Sequence, residues 1–131
     1  MADPTGYVLA FDFGLRFIGV ACGQTITGTA SPLTTLKARD GQPDWSVLQS
    51  IVAEWRPVLL LVGLPLNMDD TESGMSERAR AFATSLERRT NTPVALVDER
   101  LTSRSAKSLD PNDLHGVAAV LIAETWLNGR R

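Results

Sequence analysis

At 131 residues, 44% of them hydrophobic, the chain suffices for one domain with a real core and is too short for two lobes closing on a cleft. A formal charge of −2 and an isoelectric point near 5.3 give no overall attraction to nucleic acid, so such a partner would have to be held by local basic clusters. The single cysteine, Cys22, excludes an intrachain disulfide and a thiolate zinc site and is expected as a small core residue.

Taken in order, Val8, Leu9, Phe11 and Phe13 mark a first inner strand. Phe17, Ile18 and Val20 mark a second, antiparallel to it across a turn at Gly14. Residues 27–35 are rich in β-branched side chains but broken by Gly28 and Pro32, which suits an edge strand and completes a three-stranded meander. Residues 37–43 read as a polar loop. Asp44 stands as an N-cap ahead of Trp45, Leu48, Ile51, Val52 and Trp55 at helical spacing, and Pro57 stops that helix. The unalternating apolar run at 58–62 reads as a parallel strand buried on both faces, reached by the helical crossover.

A loop over 63–74 leads to a second helix with Met75, Ala79, Phe82 and Leu86 on one stripe, and residues 93–97 form another buried strand. The last helix carries Leu114, Val117, Ala118 and Leu121 on one stripe and ends near Gly129. The order β-β-β-α-β-α-β-α predicts an α/β fold with a five-stranded mixed sheet, a three-stranded antiparallel meander plus two parallel strands, in one domain spanning 1–131. Trp45, Trp55 and Trp126 are expected to pack on the core through their helix faces. No apolar run is long enough to span a bilayer, and the first residues lack the basic and apolar segments of an export signal, so no membrane partner and a cytoplasmic location are expected.

Three polar features fall at element ends: Asp12 on the first strand, Asp98 and Glu99 after the last strand, and Asp113 and His115 opening the last helix. Asp12 is the most telling, because an ionised carboxylate inside an apolar strand is costly without a cation or donors beside it. It either caps the Gly14 turn or serves as a metal or phosphate-site residue. In α/β sheets, sites gather beyond the carboxyl ends of the strands. An oxygen-rich, cysteine-free set matches Mg²⁺ or Mn²⁺ better than zinc, and two such ions ~3.5–4 Å apart suit phosphoryl chemistry. Asp98 points opposite to Glu99 if the strand persists, and is read as structural.

These residues carry a family resemblance. The stretch around Phe11, Asp12, Gly14, Arg16, Ile18, Gly19 and Val20 resembles the first-strand motif of the YqgF family, also called RuvX. Val62, Gly63, Pro65, Asn67 and Met68 resemble its central loop. The run from Asp98, Glu99 and Arg100 to Ser103 resembles its third block, and the run from His115 and Gly116 to Glu124 its closing helix. The four blocks span nearly the whole chain in the family's order. Members are described as Holliday-junction-resolvase-like proteins and candidate nucleases of 16S ribosomal RNA precursor. The resemblance implies an RNase H-like fold with helices on both faces and a divalent-metal nuclease site with Asp12 and Glu99 as ligands.

It further implies Arg16 and Asn67 as substrate contacts, with structured RNA, DNA junctions and ribosome precursor particles as partners, while Arg100, Arg104 and Lys107 near the third block read as phosphate contacts from their position. The arginines of the second helix, Arg78, Arg80, Arg88 and Arg89, read as solvated surface. The chain departs from the family pattern at Phe17, where a basic residue is usual, and at His115, which takes the place of a metal-binding aspartate. The connection from Ser103 to Leu114 is also short and poor in basic residues. Asp113 and His115 are two residues apart, about 200° on a helix, so only one of them can face a metal pair: His115, with Asp113 as the alternative third ligand.

The leading expectation is a metal-dependent nuclease of structured RNA acting in 16S rRNA precursor maturation. One alternative is an RNase H-like binding module with a weakened site, and another a Holliday junction resolvase on DNA. A phosphate-binding ATPase of the actin type would need a second lobe that this length does not provide.

Overall fold

The computed structural model describes residues 5–65, 74–99 and 114–129. Its strands are β1 (Tyr7–Asp12), β2 (Phe17–Gln24), β3 (Thr29–Arg39), β4 (Gln42–Pro43), β5 (Leu59–Leu64) and β6 (Val94–Asp98). The helices are α1 (Trp45–Trp55), α2 (Gly74–Thr90) and α3 (Leu114–Gly129). The sheet order is β4-β3-β2-β1-β5-β6, with β1, β5 and β6 parallel to one another and the other pairs antiparallel.

The sheet thus has six strands rather than the five expected. The segment read as a polar loop is a tight hairpin: β3 runs on to Arg39, and the two residues of β4 pair back on Ala38 and Arg39. Asp40 and Gly41 both take positive φ, 51° and 81°, the geometry of a two-residue hairpin turn that an Asp-Gly pair favours. Because β3 is largely exposed at the sheet edge, its sequence lacks the alternation that marks a half-buried strand. Its Pro32 sits at a register irregularity against Val20 and Ala21, where a missing ladder donor is tolerated.

Both faces of the sheet are covered, as two packing clusters show. Leu9, Phe11, Ile18, Val20, Leu60 and Val62 pack against Leu48 and Val52 of α1 and Ala79, Phe82 and Leu86 of α2. Val8, Ala10, Ala21, Leu61 and Val97 pack against Ala119, Ile122 and Ala123 of α3. The side chains of β1 alternate between these two cores, which is why its sequence is apolar without interruption. Trp45 and Trp55 lie against the first cluster and Trp126 against the second, and Cys22 is buried.

The ends of the helices follow their sequence signals. The Asp44 carboxylate accepts from the backbone N–H of Ser46 at 3.0 Å and of Val47 at 3.4 Å, and Arg56 ends α1 in the left-handed region ahead of Pro57. Buried Ser76 donates its hydroxyl to the Pro65 carbonyl, tying the first turn of α2 to the end of β5. The stripe predicted for α3 is rotated: its buried residues are Ala119, Leu121, Ile122, Ala123 and Leu127, while Val117 and Ala118 are half-buried. A helix apolar nearly all round does not declare its inner face by periodicity.

Candidate active site

The parallel arrangement carries the ends of β1, β5 and β6 to one edge of the sheet, on the face covered by α3. Asp12 is the last residue of β1, Glu99 directly follows β6, and His115 lies in the first turn of α3. These are three of the predicted site residues, and the fold brings them together. The His115 Nδ1 lies 3.5 Å from the Asp12 Oδ2, and the Asp12 and Glu99 carboxyls share a hydrogen bond. The Asp12 side chain is only 16% exposed and that of His115 42%, so the imidazole forms the solvent side of the group. Asp98 is the last residue of β6, and its charge adds to the field on Glu99. Arg16 is exposed in the β1–β2 loop, where its carbonyl accepts from the Ala38 N–H at 2.7 Å. Asn67, Arg100, Arg104 and Asp113 lie outside the described residues.

Two glycines make this convergence sterically possible; both fall within the family motifs, but the sequence assigns neither a spatial role. Glu99 on the edge strand is separated from Asp12 by the whole of β5, so its side chain must cross that strand to reach its partner. It crosses at Gly63, where an added Cβ would collide with the Glu99 carboxyl, come within 2.7 Å of its Cγ and press on Ile122 at 2.6 Å. Gly19 pairs with Asp12 across the β1–β2 ladder. A Cβ there would run into the His115 carbonyl and lie 3.1 Å from the Gly116 nitrogen, so α3 rests its first turn directly on β2. Glycine within a strand signals such a close approach, but which approach is evident only once register is known. Phe17, which replaces a basic residue, lays its ring against the His115 imidazole at 5.4 Å and so limits the orientations open to it.

Burial governs the electrostatics. Desolvation raises the Asp12 pKa to about 6, the hydrogen bond with Glu99 opposing the rise. Desolvation first, and then the Asp12 charge, raise that of Glu99 to about 8. The pair therefore shares a proton at neutral pH. Because both carboxyls titrate higher in the folded chain than in the unfolded one, the fold binds more protons between about pH 4 and pH 8. Their contribution to stability is present at the acid end of this window and is lost as pH rises through 6 and then 8. Metal-free protein is expected to melt at higher temperature at pH 5 than at pH 8. Millimolar Mg²⁺ should recover most of the difference at pH 8, because a cation replaces the missing proton. Differential scanning fluorimetry checks both, and a flat profile indifferent to Mg²⁺ would show that the two carboxyls are not desolvated together.

The donor types fit a hard divalent cation: two carboxylates and one imidazole. Among the described residues no group of three or more His, Cys, Asp and Glu side chains is arranged to hold a metal ion. Mg²⁺ is commonly held by one or two carboxylates together with waters and substrate phosphates, so Asp12 and Glu99 are the residues that would hold it here.

The fold, an α/β sheet covered on both faces, is similar to that of solved Holliday junction resolvases. Thermus thermophilus RuvC in complex with a Holliday junction substrate superposes with a TM-score of 0.65 at 14% identity, over 95% of each chain. The Fowlpox virus resolvase in complex with substrate Holliday junction DNA gives 0.58 at 11% identity, over 95% of this chain and 98% of that one. Residues 6–129 match the family model described as "RuvX: Holliday junction resolvase", and the chain belongs to that family. A Marinobacter nauticus protein named "Putative pre-16S rRNA nuclease" is 53% identical over 96% of both chains. A Haemophilus ducreyi protein of the same name is 48% identical over 92% of this chain and 95% of that one. Among the described residues no helix is long and apolar enough to cross a membrane.

Proposed function

We propose that the chain is a divalent-metal-dependent nuclease that hydrolyses phosphodiester bonds of structured RNA in the maturation of 16S rRNA precursor, with Asp12, Glu99 and His115 as its site. The observation that carries this reading is the hydrogen-bonded pair of desolvated carboxyls at the ends of β1 and β6. Such a pair is poised to exchange a proton for a cation. Family membership and the names of the relatives support both the reaction and the substrate. The whole site is built in one domain over residues 1–131, acting in the cytoplasm on ribosome precursor particles.

Two bound Mg²⁺ or Mn²⁺ ions would supply Lewis-acid stabilisation of the attacking and leaving oxygens of an in-line displacement. The chain's own residues do the rest. Asp12, fixed at the end of a central strand, sets the centre of the site. A cation held by Asp12 and Glu99 would displace the proton that the pair shares, so affinity for it would rise with pH between about 6 and 8. His115, against the Phe17 ring, would complete the donor set without adding negative charge, which would weaken the hold on Mg²⁺ relative to an aspartate and favour Mn²⁺. The exposed Arg16, together with Asn67, Arg100 and Arg104, contacts substrate phosphates.

Gly63→Ala tests how Glu99 reaches the site. The added methyl should push the Glu99 carboxyl away from Asp12, reducing cleavage at least about tenfold and abolishing the Mg²⁺-dependent gain in melting temperature. Unchanged Mg²⁺ stabilisation in this variant would show that Glu99 does not need that crossing.

The reading itself is tested by incubating the protein with 5′-labelled 16S rRNA precursor and with a four-way DNA junction, each with Mg²⁺, with Mn²⁺ and with EDTA. Precursor cut only in the metal lanes is the expected result. Cutting confined to the junction would make the protein a DNA resolvase, and binding without cutting in any lane would make it a binding module.

A further inference from the structure

A second concavity lies across the sheet edge from the carboxyl pair. Its volume is about 270 Å³, near the lower end of small-ligand pockets and suited to a single heterocycle. Aromatic side chains line it: the Phe82 ring lies 5.2 Å from that of Phe13 and 5.7 Å from that of Trp45. The rim is polar. Arg78 bonds to Asp40 at 3.0 Å, and the Gln42 side-chain oxygen accepts from the Trp45 indole N–H at 3.2 Å.

Two of the arginines read as plain solvated surface in the sequence are therefore engaged here, since Arg89 also stacks over the Trp45 ring at 4.5 Å. Of the α2 arginines, Arg78 lines this cleft and Arg89 reaches it through Trp45, whereas Arg80 borders a different concavity with Thr84 and Glu87.

The cleft and the carboxyl site share one wall. Phe13 directly follows Asp12, and side chains of successive residues in an extended chain point to opposite faces: Asp12 goes toward α3, and Phe13 toward Phe82 of α2. The β3–β4 turn packs on the same β1–β2 loop, with the Gly41 N–H donating to the Leu15 carbonyl at 2.9 Å and Gly41 seated against the Phe13 ring. A polynucleotide crossing the end of β1 therefore meets the carboxyl pair on one side of the strand and an aromatic, arginine-bordered cleft on the other.

We propose that this cleft receives one unpaired nucleobase of the substrate, adjoining the position that is cut. The proposal rests on the nuclease reading above and adds to it a substrate class: RNA with a single-stranded nucleotide next to a structured element, its base held against the Phe13 and Trp45 side chains and its backbone beside Arg78 and Arg89.

The test compares a hairpin RNA carrying a short single-stranded tail with the same hairpin made blunt. Binding is measured by fluorescence anisotropy with Mg²⁺ in the Asp12→Asn background, so that nothing is cut. The tailed hairpin should bind about tenfold more tightly, the effect of one stacked base. Ala81 is exposed and lines the cleft, so Ala81→Trp fills it without touching the core; Ser85→Phe, one turn further along α2, fills it from a second position. Each should erase the tail preference and leave the blunt hairpin's affinity and the melting temperature unchanged. Equal affinities for the two hairpins, or a preference that survives both fillings, with metal-dependent cleavage intact in the Asp12 protein, would overturn the cleft proposal alone. A protein that neither binds nor cuts either RNA would overturn the nuclease reading along with it.

Discussion

Asp12→Asn is expected to lower cleavage of precursor RNA by on the order of 10²–10³-fold, the effect of removing one group that stabilises charge in a transition state. Asparagine keeps the shape of the side chain and its capacity to bond with Glu99 but removes the negative charge at the centre of the site. The same substitution should stabilise the metal-free fold. Folding raises the Asp12 pKa to about 6 chiefly by burial, so keeping the group ionised at pH 8 costs roughly 2–3 kcal/mol, and the neutral isostere removes that cost. Loss of activity with a gain in melting temperature separates a site residue from a structural one, because a structural carboxylate would lose both. Combining Asp12→Asn with Glu99→Gln should add little to either alone, since the two act as one unit. Turnover by Asp12→Asn at the native rate would end the assignment.

Gly19→Ala should have the largest effect on stability. Most glycine-to-alanine changes meet a side chain that can move aside, whereas the new Cβ here would meet backbone on the far side: the His115 carbonyl, with the Gly116 nitrogen at 3.1 Å. Either α3 lifts from β2 or the β1–β2 ladder distorts at the Asp12–Gly19 pair. A loss of about 3 kcal/mol or more is expected, at the high end for single substitutions, together with nearly complete loss of activity as His115 moves away from Asp12. Denaturant unfolding measures the first and the cleavage assay the second. By comparison Gly23→Ala meets only the side chains of Val8 at 3.0 Å and Leu127 at 3.2 Å, and should cost less than half as much. Equal costs at the two positions would mean that α3 can slide freely on β2.

These contrasts also show what can be read before folding. The apolar runs of β1, β5 and β6, the Asp44 cap and the break at Pro57 declare themselves locally, because each depends on a residue's own preferences and those of near neighbours. Strand β6, expected to be buried, nevertheless lies at the sheet edge with Leu96 exposed and only Val97 buried. The Asp40–Gly41 hairpin is equally local, yet β3 is exposed at the sheet edge, and without alternation the turn reads as part of a loop. Asp12, Glu99 and His115 stand out as polar residues at the ends of apolar elements. Gly19 and Gly63 do not, because their role is to be absent from a space that exists only when β1 pairs β2 and β5 lies between β1 and β6. The arginines of α2 escape for the same reason: Asp40 and Trp45, the partners of Arg78 and Arg89, are distant in sequence.

The most direct measurement is an anomalous difference map from crystals soaked in Mn²⁺ at pH 8, where the Asp12–Glu99 proton is weakly held. A peak is expected within inner-sphere distance, ~2.1 Å for a small divalent cation, of both the Asp12 and the Glu99 carboxylates and within reach of His115, and it should vanish in Asp12→Asn crystals. Density elsewhere on the molecule, or a soaked crystal in which Asp12 and Glu99 remain hydrogen-bonded to each other with no ion between them, would contradict the account.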